Sequence, residues 1–343
     1  MQAPRPPLPG WSRILLHACV VLAFLVVTGT ADAQKLPKLT LAGPSAAVSN
    51  PLIHMVDSGA LADVAEVVEF VPWRDPDQLR VMALDGRADV LAMPTNVAAN
   101  LYNRGAKLRM LNVSTWGVLW LVSRDAALKS LADLRGKELA MPFRGDMPDI
   151  VFQLLAEQQG MDVRKDLTLR YVASPIDAMQ LLVMRRVDHA LLAEPAVSMA
   201  LRKTGSFPIS VIAPELHRSV DLQQEWGRVF ARATRIPQAG IAVMGALRER
   251  PDVVARIGAE YARSLAWCRA NAEACGRGVA ARIDLLTPEA VSDSIAVSQM
   301  EAVPVQAARV ELEFMFGQLV KKNPALVGGK LPDNGFYGGA AKP

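Results

Sequence analysis

From Lys38 onward, short apolar runs alternate with amphipathic stretches, and that rhythm leaves few architectures open. Strand-like runs over 38–43, 64–71, 89–93, 108–113 and 118–123 are separated by helical patterns over 51–59, 76–85 and 95–104. Ser49 or Asn50 stands as a cap before Pro51, and Thr95 as a cap after Pro94. The pattern then restarts. A short helix over 131–134 leads into strands over 138–141, 167–172, 189–192 and 209–213, interleaved with helices over 146–159, 176–183 and 196–203. Asp146 and Ser174 occupy cap positions there, with Pro148 and Pro175 in the turns that follow. Strands and helices alternating in this way predict a parallel or mixed sheet covered on both faces.

Two stretches look alike. Residues 86–105 (GRADVLAMPTNVAANLYNRG) and 185–205 (RRVDHALLAEPAVSMALRKTG) each carry an Asp, a short apolar strand, a Pro and an Ala-rich helix closed by Gly. Chance similarity between two α/β units stays open, but two like units predict two lobes with a cleft at the carboxyl ends of their strands. The lobes are expected over 34–121 and 122–235, with 236–327 returning to the first. That return begins with a strand over 240–244 and continues in helices over 251–270, 288–299 and 304–321, expected to pack on the first lobe. The tail over 328–343, rich in Gly, Lys and Pro, is expected to be poorly packed.

Composition removes several classes of function. A chain of 343 residues that is 51% hydrophobic has ample core and is not disordered throughout. With 6% aromatic residues, 38 Lys+Arg against 34 Asp+Glu and no long run of like charge, no nucleic-acid surface is implied. Three cysteines and four scattered histidines make no zinc module. Nucleophile elbows, metalloprotease helices, phosphate loops and dinucleotide fingerprints are all missing, so no catalytic set and no cofactor are expected.

The amino terminus reads as an address. Arg5 and Arg13 precede or flank an apolar run over 14–28, and Ala31-Asp32-Ala33 supplies the small residues a signal peptidase requires. A secretory signal over 1–33, cleaved before Gln34, places the mature chain in the periplasm. The apolar run falls short of the roughly 20 residues that span a bilayer. An oxidising compartment permits disulfides, and the mature chain keeps Cys268 and Cys275. On one continuous helix they would stand roughly 10 Å apart, beyond the disulfide limit of about 7 Å. A bond therefore needs a break near Asn271; two unpaired cysteines are the other reading.

Four pieces carry a family resemblance: FVPWRDPDQLRVMALDGRADVLAMPTNVAANLYNRG, STWGVLWLVS, LRGKELAMPFRGDMPDIVFQLL and VDHALLAEPAVSMAL. Over about 39–245 the chain resembles periplasmic substrate-binding proteins of ABC importers, of the nitrate/sulfonate/taurine (NitT/TauT) class. The resemblance implies an α/β, two-lobed periplasmic-binding-protein fold of the type II-like kind, with mixed sheets flanked by helices and a ligand cleft between the lobes. It implies a monomer that closes on a small-molecule ligand and delivers it to an ABC permease and its ATPase, without chemistry. A small organic ligand with a flat or anionic group is expected. Two other readings are an enzyme on the same fold acting on a pyrimidine-like substrate, and a sensor subunit without a transport role. The His- and Cys-rich loop of pyrimidine-making relatives is missing, which argues against the first.

The candidate ligand contacts follow strands and precede helices, where backbone N–H groups and the helix dipole face a cleft. Ser45, Ser49 and Asn50 lie in the small-residue loop GPSAAVSN; an ordinary turn with a cap is the alternative. Trp73 and Arg74 offer a stacking ring and a cation, against a Trp that covers the core rim. Thr95 and Asn96 follow the third strand, and the alternative for Thr95 is a cap that spends its hydroxyl on its own helix. Trp116 lies in the expected crossing between lobes, where hinge packing is the alternative. Phe143, Arg144 and Gly145 open the 146–159 helix, with Arg144 suited to an anion. Ser174 caps the next helix. Glu194, at the cleft by the resemblance, accepts bonds from an amine or protonated ring, or pairs with an arginine.

Overall fold

The computed structural model describes Ala3, residues 35–207, Val211 and residues 215–339. Contacts divide the chain into two units, Met1–Leu36 and Pro37–Pro343. The expected signal over 1–33 lies, Ala3 apart, outside the described residues, as does the strand expected over 209–213, Val211 apart. Everything below concerns the second unit.

Its first half builds β1 (Leu36–Pro44), β2 (Ala65–Trp73), β3 (Val90–Pro94), β4 (Leu108–Met110) and β5 (Asn112–Gly117), with helices α1 (Asn50–Asp57), α2 (Pro76–Leu84) and α3 (Thr95–Asn103). Its second half builds β6 (Leu119–Ser123), β7 (Glu138–Pro142), β8 (Thr168–Val172), β9 (His189–Ala193) and β10 (His217–Asp221). Helices α4 (Met147–Gln158), α5 (Val163–Asp166), α6 (Pro175–Val183), α7 (Ala196–Gly205) and α8 (Leu222–Phe230) accompany them. The chain then returns through β11 (Ala239–Met244), α9 (Pro251–Ala270), α10 (Ala272–Arg282), α11 (Pro288–Val297), β12 (Gln299–Pro304) and α12 (Arg309–Lys322).

Two mixed sheets result. The first runs β12-β5-β11-β3-β1-β2, with β4 also on β11; β1 and β3 are parallel, and β11 is antiparallel to β3. The second runs β10-β6-β9-β7-β8, with β7 parallel to β8 and β9, and β6 antiparallel to β9. Central strands are continuous apolar runs because both of their faces are covered: VLAM of β3 and ALL of β9 are wholly buried. The two-lobed α/β fold is the one expected.

Two passages join the sheets. Val118 alone separates β5 from β6, and residues 231–238 link α8 to β11. Gly117 is required at the first passage, since a Cβ there would sit 2.8 Å from Gln223 and from Gln299.

Several elements depart from expectation. The second sheet starts at Leu119, ahead of the 121/122 boundary, and Trp116 lies within β5 instead of a crossing loop. The segments QMEAVP and HRSVD form edge strands β12 and β10 where no strand is expected. HRSVD is mostly polar, QMEAVP mixes polar and apolar residues, and most of both are at least partly exposed, so pairing with β5 and β6 decides them, not local pattern. Helix α8 was not anticipated either; Asp221 caps it by accepting from the N–H groups of Gln223 and Gln224.

The last helix begins at Arg309, after β12. Helices α9 and α10 pack on α1, whereas α11 packs on α10 and on α7 of the second half, where Arg202 pairs with Asp293. The tail is packed as far as the structure describes it. Phe336 and Tyr337 are buried, with Phe336 edge-on to Tyr102 at 5.5 Å and to Phe316 at 6.1 Å. The helix does break at Asn271, bringing the Cα atoms of Cys268 and Cys275 to 5.1 Å within a disulfide.

Candidate functional site

Strand ends of both sheets converge on one cavity of about 90 Å³. The first half supplies Pro44 at the end of β1, Ala47 and Val48 after it, Trp73 at the end of β2, and Met93 and Pro94 at the end of β3. The second half supplies Phe143, Met147 and Pro148 after β7, Pro175 after β8, and Ala193 at the end of β9. The passages add Val118 and Gln238, and the strands beside them add Thr115 of β5, Leu119 of β6 and Ala239 of β11. Carboxyl ends of strands are where open α/β sheets hold ligands.

Of the expected contacts, the structure brings Trp73 and Phe143 to this cavity. Trp73 is buried, and its indole N–H donates to the Ala92 carbonyl at 3.1 Å, which ties the ring to β3. Phe143 takes a left-handed backbone, φ 55°, a conformation that non-glycine residues rarely adopt. The other candidates are engaged elsewhere or lie off the lining. Ser49 is fully buried and donates to the Pro44 carbonyl at 2.6 Å instead of capping α1. Gly43 makes room for it: a Cβ there would stand 2.3 Å from Ser49 Oγ. Ser45 is half-buried, Asn50 is buried, and neither lines the cavity.

Thr95 is the first residue of α3, not its cap; its hydroxyl donates to the Pro237 carbonyl at 2.6 Å. Asn96 is buried, and its Oδ1 has no partner among the described residues. The Trp116 indole donates to the Glu301 carbonyl at 2.9 Å while the Arg235 guanidinium lies 3.6 Å from its ring centre. Arg74 is exposed. Arg144 is exposed, sits 4.9 Å from the Tyr171 ring centre, and lines a separate cavity with Glu157 and Lys322. Gly145 takes φ 73° and donates its N–H to Asp149. Ser174 caps α6, accepting from the Asp177 N–H.

The carboxylates at the cavity's edge are compensated. Glu194 is buried and accepts from Arg218 at 2.6 Å and from the Ser198 hydroxyl and N–H at 2.8 and 3.1 Å. Asp146 makes no cap bond. Its carboxylate receives Arg80 of α2 at 3.0 Å, a bond from the first half to the second. Burial raises the Asp146 carboxyl above the ordinary range, and Arg80 opposes that rise. Asp149 is raised by burial too, against the hydrogen bonds of Gly145 and Gln153. Among the described residues, no cluster of His, Cys, Asp and Glu is set to hold a metal ion.

No protein-family model matches the sequence, and no curated protein matches it. Solved structures do. An ABC transporter protein from Parabacteroides distasonis is 21% identical with a TM-score of 0.69, over 88% of this chain and 98% of that one. The chain has the fold of ABC-import binding proteins. The periplasmic aliphatic sulphonate binding protein SsuA from Escherichia coli matches at 16% identity and TM-score 0.63, over 86% of this chain and 94% of that one. The periplasmic nitrate-binding protein NrtA from Synechocystis PCC 6803 matches at 13% and 0.63, over 85% and 84%. The last two are named for binding, one an aliphatic sulphonate and the other nitrate.

Val118, Leu119, Met147 and Gln238 also line the cavity, and none of them is among the expected contacts; the one signal for each is position, at or beside a passage or a strand end.

Proposed function

We propose that the chain is an extracytoplasmic solute-binding protein that captures a small organic molecule and delivers it to an ABC permease. The observation that carries this reading is the cavity fed by strand ends of both sheets, in a fold shared with import-system binding proteins. Two short passages connect the halves, so a ligand touching both favours the closed arrangement by its differential affinity. The leader-like residues 1–33 support export, and among the described residues no helix is long and apolar enough to cross a membrane. Trp73, Phe143, Thr115 of β5 and Gln238 of the second passage are the contacts this reading favours. Export predicts a mature protein that begins at Gln34, which amino-terminal sequencing reads.

The test is a metabolite panel read by thermal shift and small-angle scattering, with each bound compound recovered afterwards. The reading predicts that at least one compound raises the melting temperature, compacts the protein and returns unaltered. A compound returned chemically changed would establish the enzyme instead, and a panel without any shift would overturn solute capture.

A further inference from the structure

The cavity carries no ionisable side chain, although charges surround it in sequence. Trp73 precedes Arg74, Phe143 precedes Arg144, Met147 follows Asp146, and Ala193 precedes Glu194. In each pair the uncharged member lines the cavity and the charged one does not. Arg74 and Arg144 are exposed, Asp146 holds Arg80, and Glu194 holds Arg218.

Several of the helix-start donors that would serve an anion are spent as well. An anion site at a helix start needs free backbone N–H groups. Proline has none, and Pro148 and Pro175 occupy the first turns of α4 and α6 at the cavity wall. The Thr95 N–H donates to the Gln238 carbonyl, the Ser198 N–H to Glu194, the Asp177 N–H to Ser174, and the Gly145 N–H to Asp149. Asp149 and Asp177 put carboxylates into two of those first turns and offset their dipoles.

One polar group at the wall is left over. Thr115 is 4% exposed, lines the cavity, and its Oγ1 has no hydrogen-bond partner among the described residues. An orphaned buried hydroxyl is costly, so a ligand group that meets it after a χ1 rotation gains a bond the free protein lacks. Gln238, its neighbour on the wall, already donates its amide to Gln223 at 3.1 Å.

We infer that the cavity takes an uncharged, mainly apolar compound carrying one hydrogen-bonding group, held by Thr115. This rests on the solute-binding reading and sets its ligand class. The probes are benzene, phenol and benzenesulfonate, which share a ring and differ in head group. Their dissociation constants are measured by ligand-observed NMR on the mature chain and on Thr115→Val.

Phenol is expected to bind best and benzenesulfonate at least about tenfold more weakly, because no cationic side chain among the described residues lines the wall to offset its charge. Thr115→Val is expected to weaken phenol about tenfold and leave benzene unchanged, the loss of one hydrogen bond. Benzenesulfonate binding as tightly as phenol to the parent chain would overturn the inference and leave solute capture standing. An unchanged phenol-to-benzene ratio in Thr115→Val would overturn the role of Thr115. Failure of all three probes, in a protein that responds to another compound of the metabolite panel, would overturn the ligand class alone.

Discussion

The ends of β3 and β9 do the same mechanical work with different chemistry. Each is a central strand of its sheet, and each runs through a Pro into a helix. At β3, the Thr95 N–H donates to the Gln238 carbonyl of the second passage at 3.0 Å, and the Thr95 hydroxyl to Pro237. At β9, the Glu194 N–H donates to the Val118 carbonyl of the first passage, also at 3.0 Å, but its side chain is a buried carboxylate locked to Arg218 and Ser198. One anchor is neutral and the other ionic. The lesson is that the repeat extends to where the halves are moored and not to how, so residue type at a repeated position is a poor guide to role.

Replacing each anchor separately tests whether the difference is real. Glu194→Ala leaves Arg218 in a largely buried place without its counter-charge and is expected to cost about 3 kcal/mol. Chemical denaturation measures it, and removing Arg218 as well should recover part of the loss. A Glu194→Ala protein as stable as the parent would mean that the β9 anchor is not ionic in effect.

Arg80→Ala attacks the bond that runs between the halves. It strands the Asp146 carboxylate and is expected to cost about 2 kcal/mol, less than for Glu194 because Arg80 is partly solvated. The sign with pH follows from Arg80, which favours the charged Asp146 carboxylate against the rise that burial causes. The loss is largest where the carboxylate is charged and fades as acid protonates it. Thr95→Val removes one neutral hydrogen bond and should cost about 1 kcal/mol. A loss equal to that of Glu194→Ala would erase the contrast between the anchors.

The smallest effect concerns acid. His189, the first residue of β9, is held neutral mainly by burial and secondly by Lys137, with Nδ1 2.8 Å from the Ser123 hydroxyl. Val90 stands at the corresponding place in β3 and cannot titrate. The folded state binds fewer protons than the unfolded one between the lowered value of His189 and its ordinary value of about 6.5, so stability falls as pH drops through that window. His189→Asn should flatten the acid slope. His54, also lowered by burial, keeps part of it.

How much of this was legible depends on whether a residue's role is local. Strands β3, β7 and β9 declare themselves as apolar runs, and the Ser174 cap is written within four residues. Edge strands β10 and β12 do not, because pairing makes them. Glu194 looks like a cleft ligand in sequence, since Arg218 lies 24 residues away and only the fold joins them. Asp146 reads as a cap until α2 brings Arg80 to it. The cavity wall was the least legible part, because Leu119 or Met147 in a cleft has the same composition as in a core.

Native mass spectrometry of the mature protein and of Ala193→Phe, both isolated from the cell envelope, tests solute capture in this cavity most directly. The parent should carry a small molecule that leaves intact on denaturation, and the variant, whose added ring fills the cavity wall, should fold but come out empty. A variant that carries the same molecule at the same occupancy would show that the solute is held somewhere else.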